Sequence, residues 1–290
     1  MKVALISLSN AGARIAARLA CAQEGDSPIF GVSCGDDERK SGQSPGLSAP
    51  DRRQSCAVFL HSSVTELPQA ERFEHIADLT AELFAHFQGL VYIAPAGLVV
   101  RAVAPCLKHK TTDPGIVVVD VGGRWAVSLV GGHEGGANRL ALAVANILGA
   151  EPVITTTTEA AKDLIVGVGC RRGTAAETIL AAIHAALATA GCQLAQVRLL
   201  ASADLKADEA GLLQAATQLG VPLRLIAADE IASTIRVFEA SPLVQEKVNL
   251  PAVAEPAALL AGRRTRLILP KTKANGVTVA IARENCMPSG

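Results

Sequence analysis

Two α/β domains, each a mostly parallel sheet flanked by helices, are what this sequence predicts, on three observations. Short apolar runs alternate with stretches of helical spacing from Val3 to Ala282. Half of the residues are hydrophobic but only 3% are aromatic, so Ala, Val, Leu and Ile must build the core. Such aliphatic cores suit parallel strands buried on both faces. A length of 290 residues fits one large domain or two ordinary ones.

The elements follow in order. Val3–Leu8 reads as a strand and Ala11–Ala22 as a helix, with turn and cap residues in Ser9-Asn10-Ala11-Gly12. Ile29–Ser33 reads as a second strand. Cys34–Cys56 mixes Gly, Pro, Ser and charges with almost no large apolar residue, so it reads as a surface loop. Glu71–Phe87 shows helical spacing through Phe73, Ile76, Leu83, Phe84 and Phe87. Leu90–Ala94 is then a buried strand, and Pro95-Ala96-Gly97 turns into a helix over Leu98–Leu107. Ile116–Asp120 and Trp125–Val130 are strands. Ala137–Leu148 is a helix, and Pro152–Ile154 a strand running into four threonines.

A second domain starts after a joint near Ala160–Asp163, giving 1–162 and 163–290. Leu164–Val168 opens it as a strand. Thr174 is the expected cap of a helix to Ala190. Val197–Ala201, Leu205–Leu219, Leu223–Ala227 and Pro256–Ala261 continue the alternation. Arg266–Leu269 and Val277–Ala282 close it.

Composition excludes several functions. Lys plus Arg equals Asp plus Glu at 27 each, so this is no basic nucleic-acid coat. One Trp and one Tyr make a base-stacking platform untenable. No apolar run is long enough to span a membrane. The apolar stretch at Met1–Leu8 is short and Arg14 and Arg18 follow, which fits a strand and helix better than a signal peptide. The 7 cysteines form no CxxC pair and read as reduced thiols of a cytoplasmic protein.

Three constellations could carry chemistry. The first is Gly131-Gly132-His133-Glu134-Gly135-Gly136-Ala137-Asn138, between a strand and a helix start. Its glycines suit unusual backbone angles or close approach to a ligand. Free N–H groups at the helix start would attract carboxylate or phosphate. Ala137 stands where HExxH needs its second His, and no Gly-Lys-Ser/Thr follows, so neither a zinc protease nor a Walker A loop fits. A plain glycine turn with an exposed His is the bland alternative.

The second is Arg101, Lys108, His109, Lys110, Asp113 and Asp120. It is either a solvated basic helix end or a seat for anionic groups. The third is Gly167-Val168-Gly169-Cys170-Arg171-Arg172-Gly173-Thr174. Two arginines could activate Cys170, but no His lies close in sequence to act as its base. Thr155 and Thr156 add hydroxyls at a strand end, where α/β proteins bind ligands.

Taken in order, these segments resemble one family. They are GLVVRAVAPCLKHK at 97–110, Asp113-Pro114, Val117–Asp120, SLVGGHEGGAN at 128–138 and GAEPVITT at 149–156. Gly167–Arg172, KADEAGL at 206–212 and VAEPAAL at 253–259 follow. The series is similar to the CbiG family, the cobalt-precorrin-5A hydrolases of anaerobic cobalamin biosynthesis. It covers most of the chain outside 34–75. Two departures stand out. Only Thr157–Val166 separates the Thr-Thr and Gly-Cys-Arg-Arg motifs, where relatives often carry a middle segment. Glu134 follows His133 where a small or apolar residue is usual, which adds a carboxylate.

The resemblance implies a hydrolase that opens a ring δ-lactone and releases acetaldehyde by breaking a carbon–carbon bond. It implies an anionic cobalt-corrinoid substrate that brings its own cobalt, with no protein-bound metal and no cofactor. Neighbouring pathway enzymes are implied partners, and a homodimer is allowed. In this reading His133 is the base, Glu134 orients it or acts itself, and Asn138 positions substrate or water. Gly132, Gly135 and Gly136 line the site, and the N–H groups of the last two receive the oxyanion. Arg101, Lys110, Asp120, Thr155, Thr156, Arg171 and Arg172 contact substrate. Two alternatives stay open: a carrier that binds corrin intermediates without chemistry, and a nucleotide- or phosphate-binding protein using the Gly131–Gly136 loop.

Overall fold

A computed structural model describes residues 1–22, 56–234 and 252–285. The expected strand Ile29–Ser33 and the loop 34–55 lie outside the described residues. The chain divides into two compact units, Met1–Ile154 and Thr155–Gly290. The division falls eight residues before the expected one, so the threonine segment opens the second unit.

In the first unit the elements are β1 (Val3–Ser7), α1 (Asn10–Cys21), β2 (Cys56–His61), β3 (Glu71–Phe73), α2 (Ile76–Leu83) and β4 (Gly89–Ile93). They continue with α3 (Ala96–Val103), β5 (Gly115–Val119), β6 (Trp125–Val130), α4 (Ala137–Leu148) and β7 (Glu151–Val153). The strand order is β3-β2-β1-β4-β5-β6-β7. The first five run parallel; β6 is antiparallel to β5, and β7 is parallel to β6.

Every residue of β1, β4 and β5 is buried. Successive side chains alternate between two cores, as strand geometry requires. Val3, Leu5, Val91, Ile93, Val117 and Val119 face α1 and α4. Ala4, Ile6, Leu90, Tyr92, Ile116 and Val118 face α2 and α3. Helices on both faces therefore explain the unbroken apolar runs. The buried Tyr92 hydroxyl is satisfied by Thr80 Oγ1 at 2.9 Å, which also donates to the Ile76 carbonyl at 2.6 Å. The Ser9 cap holds as expected: its Oγ accepts from Gly12 N at 3.1 Å.

In the second unit the elements are α5 (Thr157–Ala160), β8 (Leu164–Cys170), α6 (Ala176–Thr189), β9 (Val197–Ala203), α7 (Ala210–Leu219) and β10 (Leu223–Ile226). Then come α8 (Ala228–Ser233), α9 (Ala254–Leu260), β11 (Thr265–Ala274) and β12 (Val277–Glu284). The order is β10-β9-β8-β12-β11. The first three strands are parallel, and β12 and β11 complete the sheet as an antiparallel hairpin. Its turn, Asn275-Gly276, has φ of +49° and +79°. Two left-handed residues match the twist of a tight hairpin. The buried Glu255 on α9 accepts the Lys271 N–H of edge strand β11 at 2.9 Å.

The sheets are thus mixed, with parallel strands predominating. Three expectations change. Glu71–Phe73 is not helical: it pairs with Phe59–His61 of β2, and sheet pairing overrides the apolar spacing. The helix after Pro95 ends at Val103, and a 3-10 turn at Ala104–Cys106, with Pro105 in its first turn, finishes the segment. Leu205–Leu219 splits into a 3-10 turn at Asp204–Lys206 and α7. Among the described residues no helix is long and apolar enough to cross a membrane.

Candidate functional site

The glycine loop of the first unit leaves β6 and enters α4 at the amino end of β5. Backbone approaches backbone there. A Cβ on Gly115 would lie 2.6 Å from the Gly135 carbonyl, and one on Gly135 would lie 2.9 Å from the Gly131 carbonyl. Gly131 and Gly136 have φ of +71° and +79°, which favour glycine. Loop-on-strand contact therefore accounts for these glycines.

The expected free N–H groups at the start of α4 are not free. Ala137 N donates to Gly131 O at 3.1 Å and Asn138 N to Gly132 O at 2.9 Å. The loop caps its own helix with its own carbonyls. The Gly135 and Gly136 N–H groups are among those of the loop that find no acceptor among the described residues. Asn138 lies beneath the loop rather than on it. It is buried, and its Oδ1 accepts from Ser128 Oγ at 2.8 Å.

His133 and Glu134 are exposed at the tip. The segment after α3 meets them, because β5 must start beside the glycine loop. Lys110 Nζ lies 3.2 Å from Glu134 Oε1. The Glu134 carboxyl is held below its usual range, first by its own backbone N–H and then by the Lys110 ammonium. Buried Asp113 fixes the neighbouring turn by accepting the Lys108 N–H on both oxygens, at 3.1 and 3.0 Å. The His109 ring is engaged with Thr111 Oγ1 at 2.8 Å. Arg101 is exposed on the last turn of α3.

The structure thus brings Lys110 to His133, Glu134 and glycines 132, 135 and 136. It adds Arg139, exposed on the first turn of α4, with Nη2 3.7 Å from where a Gly136 Cβ would stand. Nothing in the sequence marks Arg139 apart from any surface arginine. Among the described residues no group of three or more His, Cys, Asp or Glu side chains is placed to hold a metal ion.

Asp120 stands apart. It follows β5 at the opposite end, about 16 Å along the strand at roughly 3.3 Å per residue. Its carboxylate organises the β5–β6 turn, accepting from the N–H groups of Gly122, Arg124 and Trp125 and from Arg124 Nε. Burial pushes its carboxyl up, but these bonds outweigh it and hold the group below its ordinary value. A groove of about 380 Å³ opens beside it, between Pro95, Val121, Trp125, Val127 and Val153. Sequence reasoning missed this groove. It is almost wholly apolar, and its one carboxylate is fully engaged, so proton-transfer chemistry belongs elsewhere.

In the second unit, Thr155 and Thr156 precede α5, and Thr156 is its N-cap residue. Thr174 is not the cap of α6; Ala175 is, and Thr174 Oγ1 donates to the Arg171 carbonyl at 2.7 Å. The Arg171 side chain lies along Gly276 of the hairpin turn. Arg172 Nη1 pairs with Asp208 Oδ2 at 2.7 Å, both exposed. The Gly-Cys-Arg-Arg loop therefore faces the KADE segment at the carboxyl ends of β8 and β9. Gly173 N donates to Glu209 Oε1 at 2.7 Å, and Lys206 Nζ lies 3.6 Å from Glu209 Oε2.

Burial pushes the Cys170 thiol above its ordinary value; Lys206 works against this and Glu209 adds to it. A resting nucleophile needs the opposite shift. At pH 8, iodoacetamide is expected to alkylate exposed Cys21 well before Cys170. Peptide mass spectrometry reads the order, and equal rates would refute it.

Comparison with known proteins completes the picture. The family described as cobalamin synthesis G, N-terminal, matches residues 78–159; cobalamin synthesis G, C-terminus, matches residues 164–282. A cobalt-precorrin-5A hydrolase of Priestia megaterium is 27% identical over 302 positions, covering 70% of this chain and 80% of that protein. Seventy per cent of 290 residues is about 203, so about 99 of the 302 aligned positions have no counterpart in this chain. A cobalt-precorrin-5A hydrolase of Salmonella typhimurium is 36% identical over 119 residues, 40% of this chain but only 34% of that protein. Protein CobE of a Sinorhizobium species is 38% identical over 128 residues, 43% of this chain and 83% of that protein. The two family matches abut within one chain, and together they place it in the CbiG family of cobalamin synthesis proteins.

Proposed function

We propose that this chain is a cobalt-precorrin-5A hydrolase of cobalamin biosynthesis. The observation that carries the reading is the alignment across four fifths of the Priestia megaterium hydrolase. The cationic rim of the glycine loop supports it, because a corrinoid at this stage bears many acetate and propionate groups. The cobalt belongs to the substrate. We place its action in the cytoplasm.

The lactone-opening step needs a proton acceptor and a place for the oxyanion. Water adds to the lactone carbonyl, its proton passes to His133, and the ring oxygen leaves as a hydroxyl by taking that proton back. Glu134, tethered by Lys110, orients His133. The N–H groups of Gly135 and Gly136 receive the oxyanion, and Gly132 shapes the turn below. Asn138, tied to Ser128, holds the loop from beneath. Lys110 and Arg101 take peripheral carboxylates beside the glycine loop. Asp120 has no part in this assignment, because its oxygens are already engaged. The former bridging carbon with its methyl group is then lost as acetaldehyde.

The positions absent relative to the Priestia megaterium protein favour one rival, a carrier of corrin intermediates. The mass of the corrinoid after anaerobic incubation separates the two. The hydrolase returns the substrate mass plus water less acetaldehyde. A carrier returns the substrate unchanged.

A further inference from the structure

The first unit leaves an apolar face uncovered. Two of its exposed large apolar residues, Val121 and Trp125, at 50% and 40% exposure, line the groove of about 380 Å³ at the carboxyl end of β5. A third, Val100 at 48%, lies one helical turn after Ala96 on α3, and Ala96 lines the same groove. Strand alternation puts Trp125, Val127 and Leu129 on one side of β6. Trp125 and Val127 stand opposite Glu151 and Val153 of β7. Ala126, on the other side of β6, is buried in the core beneath α4. On this side Val127, Leu129 and Val153 are only half-buried. Single apolar residues on a surface are ordinary, but a continuous apolar face around a groove marks an interaction site.

The chemistry of the face selects its partner. Asp120 and Arg124 at the rim bond to each other at 3.1 Å. Arg124 uses only Nε in that bond, so its Nη groups remain available. Glu151, directly opposite Trp125, has no side-chain partner among the described residues. Its N–H donates to the Arg124 carbonyl at 2.8 Å, so the two residues are neighbours. These charges nearly cancel, so nothing here recruits a strongly charged partner. The face instead carries a protruding indole beside a groove, and a carboxylate beside a guanidinium. Such a face is self-complementary, because a two-fold axis makes every contact twice. The groove is at the lower end of volumes that take whole small ligands, so an indole fits it. Tryptophan is also among the residues that most often anchor interfaces.

We propose that this face pairs with the same face of a second copy of the chain, with Trp125 of each copy seated in the groove of the other. Glu151 of each copy then meets Arg124 of the other, which balances the one carboxylate left without a partner. The pairing is independent of the hydrolase reading. It lies at the opposite end of β5 from the glycine loop and does not use that loop.

Trp125 is the only tryptophan in the chain, so its emission reports on this face alone. Sedimentation of the full wild-type chain should show a dimer that dissociates on dilution. The emission should move to longer wavelength over the same concentration range, as the indole returns to water. Val121→Asp should raise the dissociation constant at least about 30-fold, the effect of losing a hot-spot residue. Trp125→Ala should do the same, read by sedimentation. Both side chains are exposed, so both variants should keep the wild-type far-ultraviolet dichroism. A dimer that survives both substitutions would place the interface elsewhere and overturn the proposal. A monomeric wild type would overturn it as well. Emission from a buried indole at every concentration would then mean that the chain covers the face itself. A shift seen only on adding cobalt-precorrin-5A would make the groove a ligand seat.

Discussion

Replacing His133 with Ala is expected to lower acetaldehyde release at least about 100-fold while the corrinoid still binds. The residue is exposed at the loop tip, so its removal deletes no packed contact and should leave the unfolding transition in place. Lys110 and Arg101, proposed to take the carboxylates, are untouched. Unopened substrate should accumulate. Turnover equal to wild type would remove His133 from the chemistry and return the loop to a plain glycine turn. A bound but unreacted corrinoid would support His133 as the base of lactone opening.

Replacing Gly167 with Ala should have the largest effect on stability. Gly167 sits within β8, and α9 crosses directly over it. An added Cβ would collide with the Ala254 carbonyl oxygen and come within 2.9 Å of the Ala258 Cβ. Neither can yield alone, because Ala254, Ala257 and Ala258 are all buried on α9. The helix must lift, at a cost of about 3 kcal/mol, the upper part of the usual range for overpacking. That is a large fraction of a domain's total stability. Urea unfolding of the second unit should therefore shift to clearly lower concentration. An unchanged midpoint would mean that α9 does not pack on Gly167.

Much of this architecture was legible because local signals and burial agreed. β1, β4 and β5 are continuous apolar runs, and strands covered on both faces must be. Helix α4 runs over Ala137–Leu148 as its spacing predicts, and left-handed Gly149 stops it. What was not legible depended on distant pairing. Glu71–Phe73 carries apolar spacing compatible with a helix, and only β2 makes it a strand. Strand β2 itself went unread. Asn275-Gly276, flanked by alternating residues, was a hairpin signal open to reading.

The site shows the same divide. The motif GGHEGGAN marks its loop, and family resemblance suggests the role proposed for it. Neither could show that the loop spends its helix N–H groups on itself. The approach of Lys110 to Glu134 is set by where β5 begins, which no local pattern encodes. Asp120 reads as a strand-end ligand group, yet four donors in its own turn engage it. Arginines 171 and 172 draw attention in the sequence. The buried partner of that loop is Glu209, 36 residues after Gly173, and only the fold brings the two together.

The central claim is that this compact chain, lacking about 99 of the positions aligned in a hydrolase relative, carries out the full reaction. Acetaldehyde measured against cobalt-precorrin-5A consumed, under anaerobic conditions with purified wild-type protein, tests it most directly. The account predicts one acetaldehyde for each corrinoid converted, through repeated turnovers. Tight binding of the corrinoid with no acetaldehyde would contradict it and make the chain a carrier.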